Sequence, residues 1–153
     1  MVPERLEREI LIEAPLRVVW SVITEPQHMS GWFGDSAEID LRPGGGLVLR
    51  WDEYDNTVQG RVETVEPPRL FSFRWIRSSG TEAGEEDSTL VEFSLSAEGD
   101  STRLTVVESG FRQLSWPDDE KQKDADGHRD GWKLELDELR EYVRGHVRTS
   151  AER

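Results

Sequence analysis

Between Leu47 and Glu108 the apolar side chains recur at every second position, and the runs are separated by short turn signals. "LVLRW" sets Leu47, Leu49 and Trp51 on one face, with Val48 and Arg50 on the other. "TVQGRVETV" continues with Val58, Gly60 and Val62, "RLFSFRW" with Phe71, Phe73 and Trp75, "STLVEFSLS" with Val91, Phe93 and Leu95, and "TRLTVVES" with Leu104, Val106 and Glu108. Alternation of this kind predicts strands with one buried face, and the short connections predict an antiparallel meander. Such a sheet exposes a strongly aromatic face that another element has to cover. The chain offers one long amphipathic stretch for that purpose, Asp126 to Val147 at its end. Its apolar stripe is Trp132, Leu136, Leu139 and Val143, extended by His128 and Val147, while Asp137, Glu138, Arg140, Glu141 and Arg144 lie largely opposite. Arg50 and Arg74, alternating with the aromatic positions, belong to the outer face of the sheet.

The N-terminal part follows a different rhythm. "LEREILIE" alternates from Leu6 to Glu13 as a strand. Pro15 suits the first turn of a helix, in which Val18, Val19, Val22 and Ile23 share a face. Pro26 interrupts it, and "EPQHMSGWF" predicts a second short helix ending near Gly31. "AEIDL" is a short strand closed by "RPGGG". The predicted order is strand, two short helices, six strands and a long helix. "RSSGTEAGEED" reads as a polar hairpin tip, "RQLSWPDDEKQKDAD" as an acidic loop or helix lead-in, and "TSAER" as a frayed end. Inside the last helix, Gly131 stands beside Trp132, although glycine in a helix interior costs about 1 kcal/mol relative to alanine. The pair predicts that the helix needs space at one point and bulk at the next.

A chain of 153 residues fits one domain with a sizeable core. It has no cysteine, so a disulfide framework, a zinc thiolate site and a cysteine nucleophile are excluded. The net charge of −13 disfavours nucleic acid and acidic lipid surfaces. The start "MVPERLEREILIEAP" carries no long apolar run, so neither membrane insertion nor a signal peptide is expected, and a cytoplasmic location follows as the default. Hydrophobic content is only 35%, but six tryptophans offset it. His28, His128 and His146 lack ligand spacing, so no metal is expected. "RPGGG" lacks the lysine of a phosphate loop, and no nucleophile triad is recognisable. No cofactor is expected.

"EILIEAPLRVVWSVITEPQHMSGWF", "DLRPGG", "GRVETVEPPRLFSFRW", "TRLTVVESGF" and the closing "GW…L…L" stand in an order that resembles the START-like (SRPBCC), helix-grip superfamily. Within it they resemble the branch homologous to the C-terminal domain of the activator of the ninety-kilodalton heat-shock protein's ATPase. The resemblance implies an α+β fold: a curved antiparallel sheet of six to seven strands gripping the C-terminal helix, with two short helices after the first strand and a cavity between sheet and helix. It implies a single START-like domain over residues 1–153, its core at about 5–147. Members of the superfamily include lipid carriers, polyketide cyclases and co-chaperone domains, and fold alone does not choose among them. Some pair as dimers, which the sequence neither requires nor forbids.

Placed on that fold, Trp32, Phe33, Trp51, Phe73, Trp75 and Trp116 are candidates to line an apolar cavity, and Trp132 fills the space beside Gly131. Glu108 ends an apolar strand face, so an inward orientation would bring a carboxylate to the cavity's edge as an acid, a base or a ligand anchor. His128 faces the same region from the helix. The first functional expectation is a carrier or sensor of a small hydrophobic molecule, aromatic or lipid-like. A cyclase or aromatase-like enzyme that orients a reactive substrate is the second. The third is a chaperone-like protein-interaction domain, although the chain lacks the additional N-terminal domain of the chaperone activators.

Overall fold

The computed structural model describes residues 2–54, 56–76 and 87–151, with side chains described outside residues 54 and 146–151. Seven strands form one antiparallel sheet in the order β1-β7-β6-β5-β4-β3-β2. They span β1 Arg5–Ile12, β2 Ser36–Ile39, β3 Gly46–Trp51, β4 Asn56–Glu66, β5 Leu70–Ile76, β6 Ser88–Glu98 and β7 Ser101–Ser109. Strands β2 to β7 are a meander in chain order. The first strand returns to the far edge, where Leu6 faces Glu108 and Ile10 faces Leu104 across the β1–β7 ladder. Helices α1 (Leu16–Thr24) and α2 (Pro26–Met29) fill the connection from β1 to β2, and α3 (Asp118–Ala151) closes the chain. This is the expected helix-grip architecture.

Period-two patterning decides what is buried. Leu47, Leu49, Val62, Phe71, Phe73, Val91, Phe93, Leu104 and Val106 all sit on the inner face with at most 2% exposure. They meet Val19, Val22 and Ile23 of α1 and Ala125, Trp132, Leu136, Leu139 and Val143 of α3 in one apolar core. Phe71, Phe73 and Phe93 stack at centroid distances of 5.9–6.3 Å. Arg50 is exposed, and Arg74 lies 3.7 Å from Glu63, so both alternate away from the core as expected.

The last helix is longer than its predicted span. It begins at Asp118, eight residues before Asp126, and extends for 34 residues, about 50 Å. The acidic run expected as a loop or lead-in supplies its first turn. Asp118, Asp119 and Glu120 stand where the helix dipole favours negative charge, and Pro117 O accepts from the Glu120 and Lys121 amides at 3.0 Å each. The stretch Thr149–Ala151, expected to fray, continues the helix. Most of the expected hairpin tip, residues 77–86, lies outside the described residues, as do the side chains of His146 and Val147.

Two contacts fix how the helices seat. The Trp32 indole donates to Val22 O at 3.0 Å and stacks on Phe33 at 4.9 Å, locking the segment after α2 beneath α1. Tyr142 of α3 lies against Gly31, and its hydroxyl is 2.7 Å from His28 Nδ1. A Cβ at Gly31 would fall within the Tyr142 ring, so glycine here permits a close approach between the N-terminal helices and α3.

Candidate functional site

Helix α3 brings His128, Gly131, Trp132 and Glu135 to one face, because residues three, four and seven apart superpose along a helix. The ends of β3 and β5 place Trp51 and Trp75 opposite them. Together with Phe33, Asn56 and Gly127 they line an open recess of about 440 Å³ between helix and sheet. Its walls combine a near-parallel ring pair with steep ones. Trp51 and Trp75 stack at 6.2 Å with 17° between planes, Trp75 meets Trp132 at 81°, and Phe33 meets Trp51 at 82°.

The geometry answers the question raised by Gly131. Among the described residues an added Cβ at Gly131 would meet nothing within 4 Å, and the same holds for Gly127 one turn earlier. Neither glycine allows a close approach to the sheet. Both border the recess, so their missing side chains leave its helical wall open. Two interior glycines together cost the helix about 2 kcal/mol in propensity, and no packing contact among the described residues accounts for them.

Below the recess lies Glu108, with 0% exposure. Thr89 Oγ1 donates to its Oε2 at 2.5 Å, and Trp132 Nε1 donates to its Oε1 at 2.8 Å. His128 Nδ1 is 2.7 Å from the same Oε1. An ionised Glu108 only accepts, and against it the imidazole carries its proton on Nδ1. Its Nε2 is then the second ring nitrogen, 3.8 Å from Asp124 Oδ1 and beyond hydrogen-bond length. The ring also packs against Trp75 at a centroid distance of 4.7 Å.

Glu135 occupies a different setting. It is half-buried at the recess wall and accepts a hydrogen bond from Trp51, while its Oε2 is shielded and has no hydrogen-bond partner among the described residues. Burial, reinforced by the neighbouring Glu138 charge and only partly offset by the Trp51 bond, pushes its pKa from 4.5 up to about 7. The group therefore changes charge near neutral pH.

Of the nine residues singled out from the sequence, Phe33, Trp51, Trp75, His128 and Trp132 border the recess. Trp32 and Phe73 lie in the core behind it, Glu108 lies beneath it, and Trp116 is half-buried on the connection into α3. Sequence reasoning passed over Glu135, Asn56 and Gly127. Glu135 was within reach: it stands seven residues after His128 and four after Gly131, on the face assigned to the sheet. Thr89, which holds Glu108, carried no comparable signal. Among the described residues no group of side chains could hold a metal ion, and no helix is long and apolar enough to cross a membrane.

Known proteins place this geometry. No curated protein matches the chain. Among solved structures, CalU16 from Micromonospora echinospora is 28% identical over 92% of this chain and 74% of its own, with a TM-score of 0.68. DynU16, a protein of the dynemicin biosynthetic locus, is 22% identical over 93% of this chain and 48% of its own, with a TM-score of 0.73. The Aha1 dimer from Colwellia psychrerythraea shares the fold at 13% identity, covering 91% of this chain and 95% of its own, with a TM-score of 0.74. The profile of one family, Activator of Hsp90 ATPase homolog 1-like protein, matches residues 13–144. With its START-like sheet gripping the C-terminal helix, the chain belongs to the family of Activator of Hsp90 ATPase homolog 1-like proteins.

Proposed function

We propose that the protein binds a small, largely apolar molecule in the recess between α3 and the ends of β3 and β5, as a carrier or sensor. One observation carries this reading: two helix glycines leave open a volume of about 440 Å³ walled by Phe33, Trp51, Trp75 and Trp132. That volume falls in the range of ligand sites, and mostly aromatic walls with a few polar groups are the usual composition of such sites. The fold likeness to DynU16, a protein of a biosynthetic locus, agrees with a small-molecule role.

The test is tryptophan fluorescence against a panel of fatty acids, flavonoids and polycyclic aromatics, with Gly131→Leu as control. Three tryptophans border the recess, so a bound ligand quenches saturably, and the leucine side chain abolishes the effect. A panel without a single saturable quench, together with a solvatochromic dye that stays dark, overturns the reading.

A second reading draws on the Glu108–His128 pair. An imidazole oriented by a buried carboxylate at a recess wall can move a proton, as a cyclase-like reaction requires. Turnover that falls in His128→Gln while binding survives would support it, and binding without turnover would leave the carrier.

A further inference from the structure

The recess has a polarity that its aromatic walls do not by themselves imply. Among the described residues its lining includes no lysine or arginine, and the titratable members are His128 and Glu135. Of these, His128 already engages Glu108. Glu135 is held through Trp51 and keeps a second carboxyl oxygen without a hydrogen-bond partner among the described residues. A buried acceptor without a donor is costly, and an incoming donor relieves that cost. The terminal torsion of a glutamate is soft, so a small rotation presents this oxygen to the recess. The donor, moreover, would arrive among aromatic faces set at steep angles, an arrangement that attracts cations through the ring quadrupoles. The net charge of −13 acts in the same direction at long range.

We propose, resting on the binding role above, that the recess selects an amphiphile with a protonated amine, Glu135 serving as its counter-ion and Trp51, Trp75 and Trp132 forming the surrounding cage. The apolar part of such a ligand occupies the remaining volume beside Gly127 and Gly131. Among the described residues the groups facing the amine are then Glu135 on α3, the Trp51 indole from β3, Asn56 from β4, and His128 at the far end, while Glu138 one turn on acts on Glu135 through its charge. Along the helix, Glu135 and His128 are seven residues apart, about 10 Å, which leaves room for an apolar body between the two polar ends. Pairing with a cation favours the ionised carboxyl, so binding near neutral pH releases a proton from Glu135.

The experiment is isothermal titration calorimetry at neutral pH with naphthylmethylamine, naphthylmethanol and naphthoate, which share one apolar body and differ in charge. The wild-type protein binds the amine at least about tenfold more tightly than the alcohol, and naphthoate most weakly. Glu135→Gln removes the preference for the amine over the alcohol, and circular dichroism with a cooperative urea transition shows that the variant is folded. Titration of the amine in two buffers of different ionisation enthalpy reports the proton released, a fraction of about one half at a pH equal to the group's pKa. Equal binding of amine and alcohol, a preference that survives Glu135→Gln, or tightest binding of naphthoate overturns the cationic selectivity while leaving the binding role in place. Silence from all three probes, alcohol included, overturns the binding role and the selectivity together.

Discussion

Glu135→Gln replaces a titrating group with a neutral one of the same shape, so its effect on stability follows from a single proton. In the folded protein the carboxyl is displaced upward from 4.5 to about 7, chiefly by burial. The native state therefore holds this proton more firmly than the unfolded chain does. Below pH 4.5 both states are protonated and the group adds no pH dependence. Between pH 4.5 and 7 the unfolded chain has released the proton and the native state has not, so stability falls as pH rises; above 7 the loss is complete. At full weight a displacement of this size corresponds to about 3 kcal/mol. Solvent still reaches the half-buried side chain, which reduces the expected figure to about 1–2 kcal/mol. Wild type and Glu135→Gln are to be unfolded in urea at intervals from pH 4.5 to 8. The comparison removes every other titrating group shared by the two proteins. The variant gains about 1–2 kcal/mol on the wild type across that range, nearly all of it before the plateau. A stability difference that stays constant with pH, or moves the opposite way, would refute the assignment of Glu135 as a desolvated carboxyl.

The remaining predictions concern the helix. Trp132→Ala removes a ring with 3% exposure and one donor to Glu108, so denaturant unfolding should show a loss of about 3–5 kcal/mol; a loss below about 1 kcal/mol would mean that the ring does not hold helix to sheet. Gly131→Ala adds a Cβ that meets nothing within 4 Å among the described residues and should instead stabilise by up to about 1 kcal/mol, whereas a destabilised variant would show that the glycine serves packing.

The fold was legible because it rests on two periods. Alternation from Leu47 to Glu108 fixed the inner face, and the stripe Trp132, Leu136, Leu139 and Val143 fixed the helix face that covers it; all four helix residues are at most 3% exposed. The start of α3 was obscured because its first turn consists of acids, whose preference for a helix N-terminus leaves no apolar period to read. The site was less legible, for a related reason. Alternation tells which way a side chain points but not how far along the strand the helix covers it. Phe73 and Trp75 share a face, yet Phe73 is in the core and Trp75 borders the recess. Glu108 continues the same logic: its position on the inner face was readable, while its pairing with Thr89, nineteen residues earlier, depends on the β6–β7 register.

The two inward carboxylates show how one helix can be both anchored and selective. Glu108 comes from β7, and its partners include two side chains of α3, His128 and Trp132. A ligand that displaced either partner would have to replace a hydrogen bond to a buried acidic group, worth about 1.5–3 kcal/mol where charge is involved. Glu108 is thus suited to hold the helix and to fix the orientation of Trp132, whose ring is a wall of the recess. Glu135 comes from the helix itself and has Trp51 as donor on one side and an oxygen without a partner on the other. A ligand donor arriving there displaces nothing. The aromatic walls, set in place by Glu108, then limit the size and shape of what enters, and Glu135 discriminates by the charge of its polar end. On this division of labour Glu108→Gln loosens the grip and weakens every ligand alike, whereas Glu135→Gln changes the preference among ligands and spares the fold.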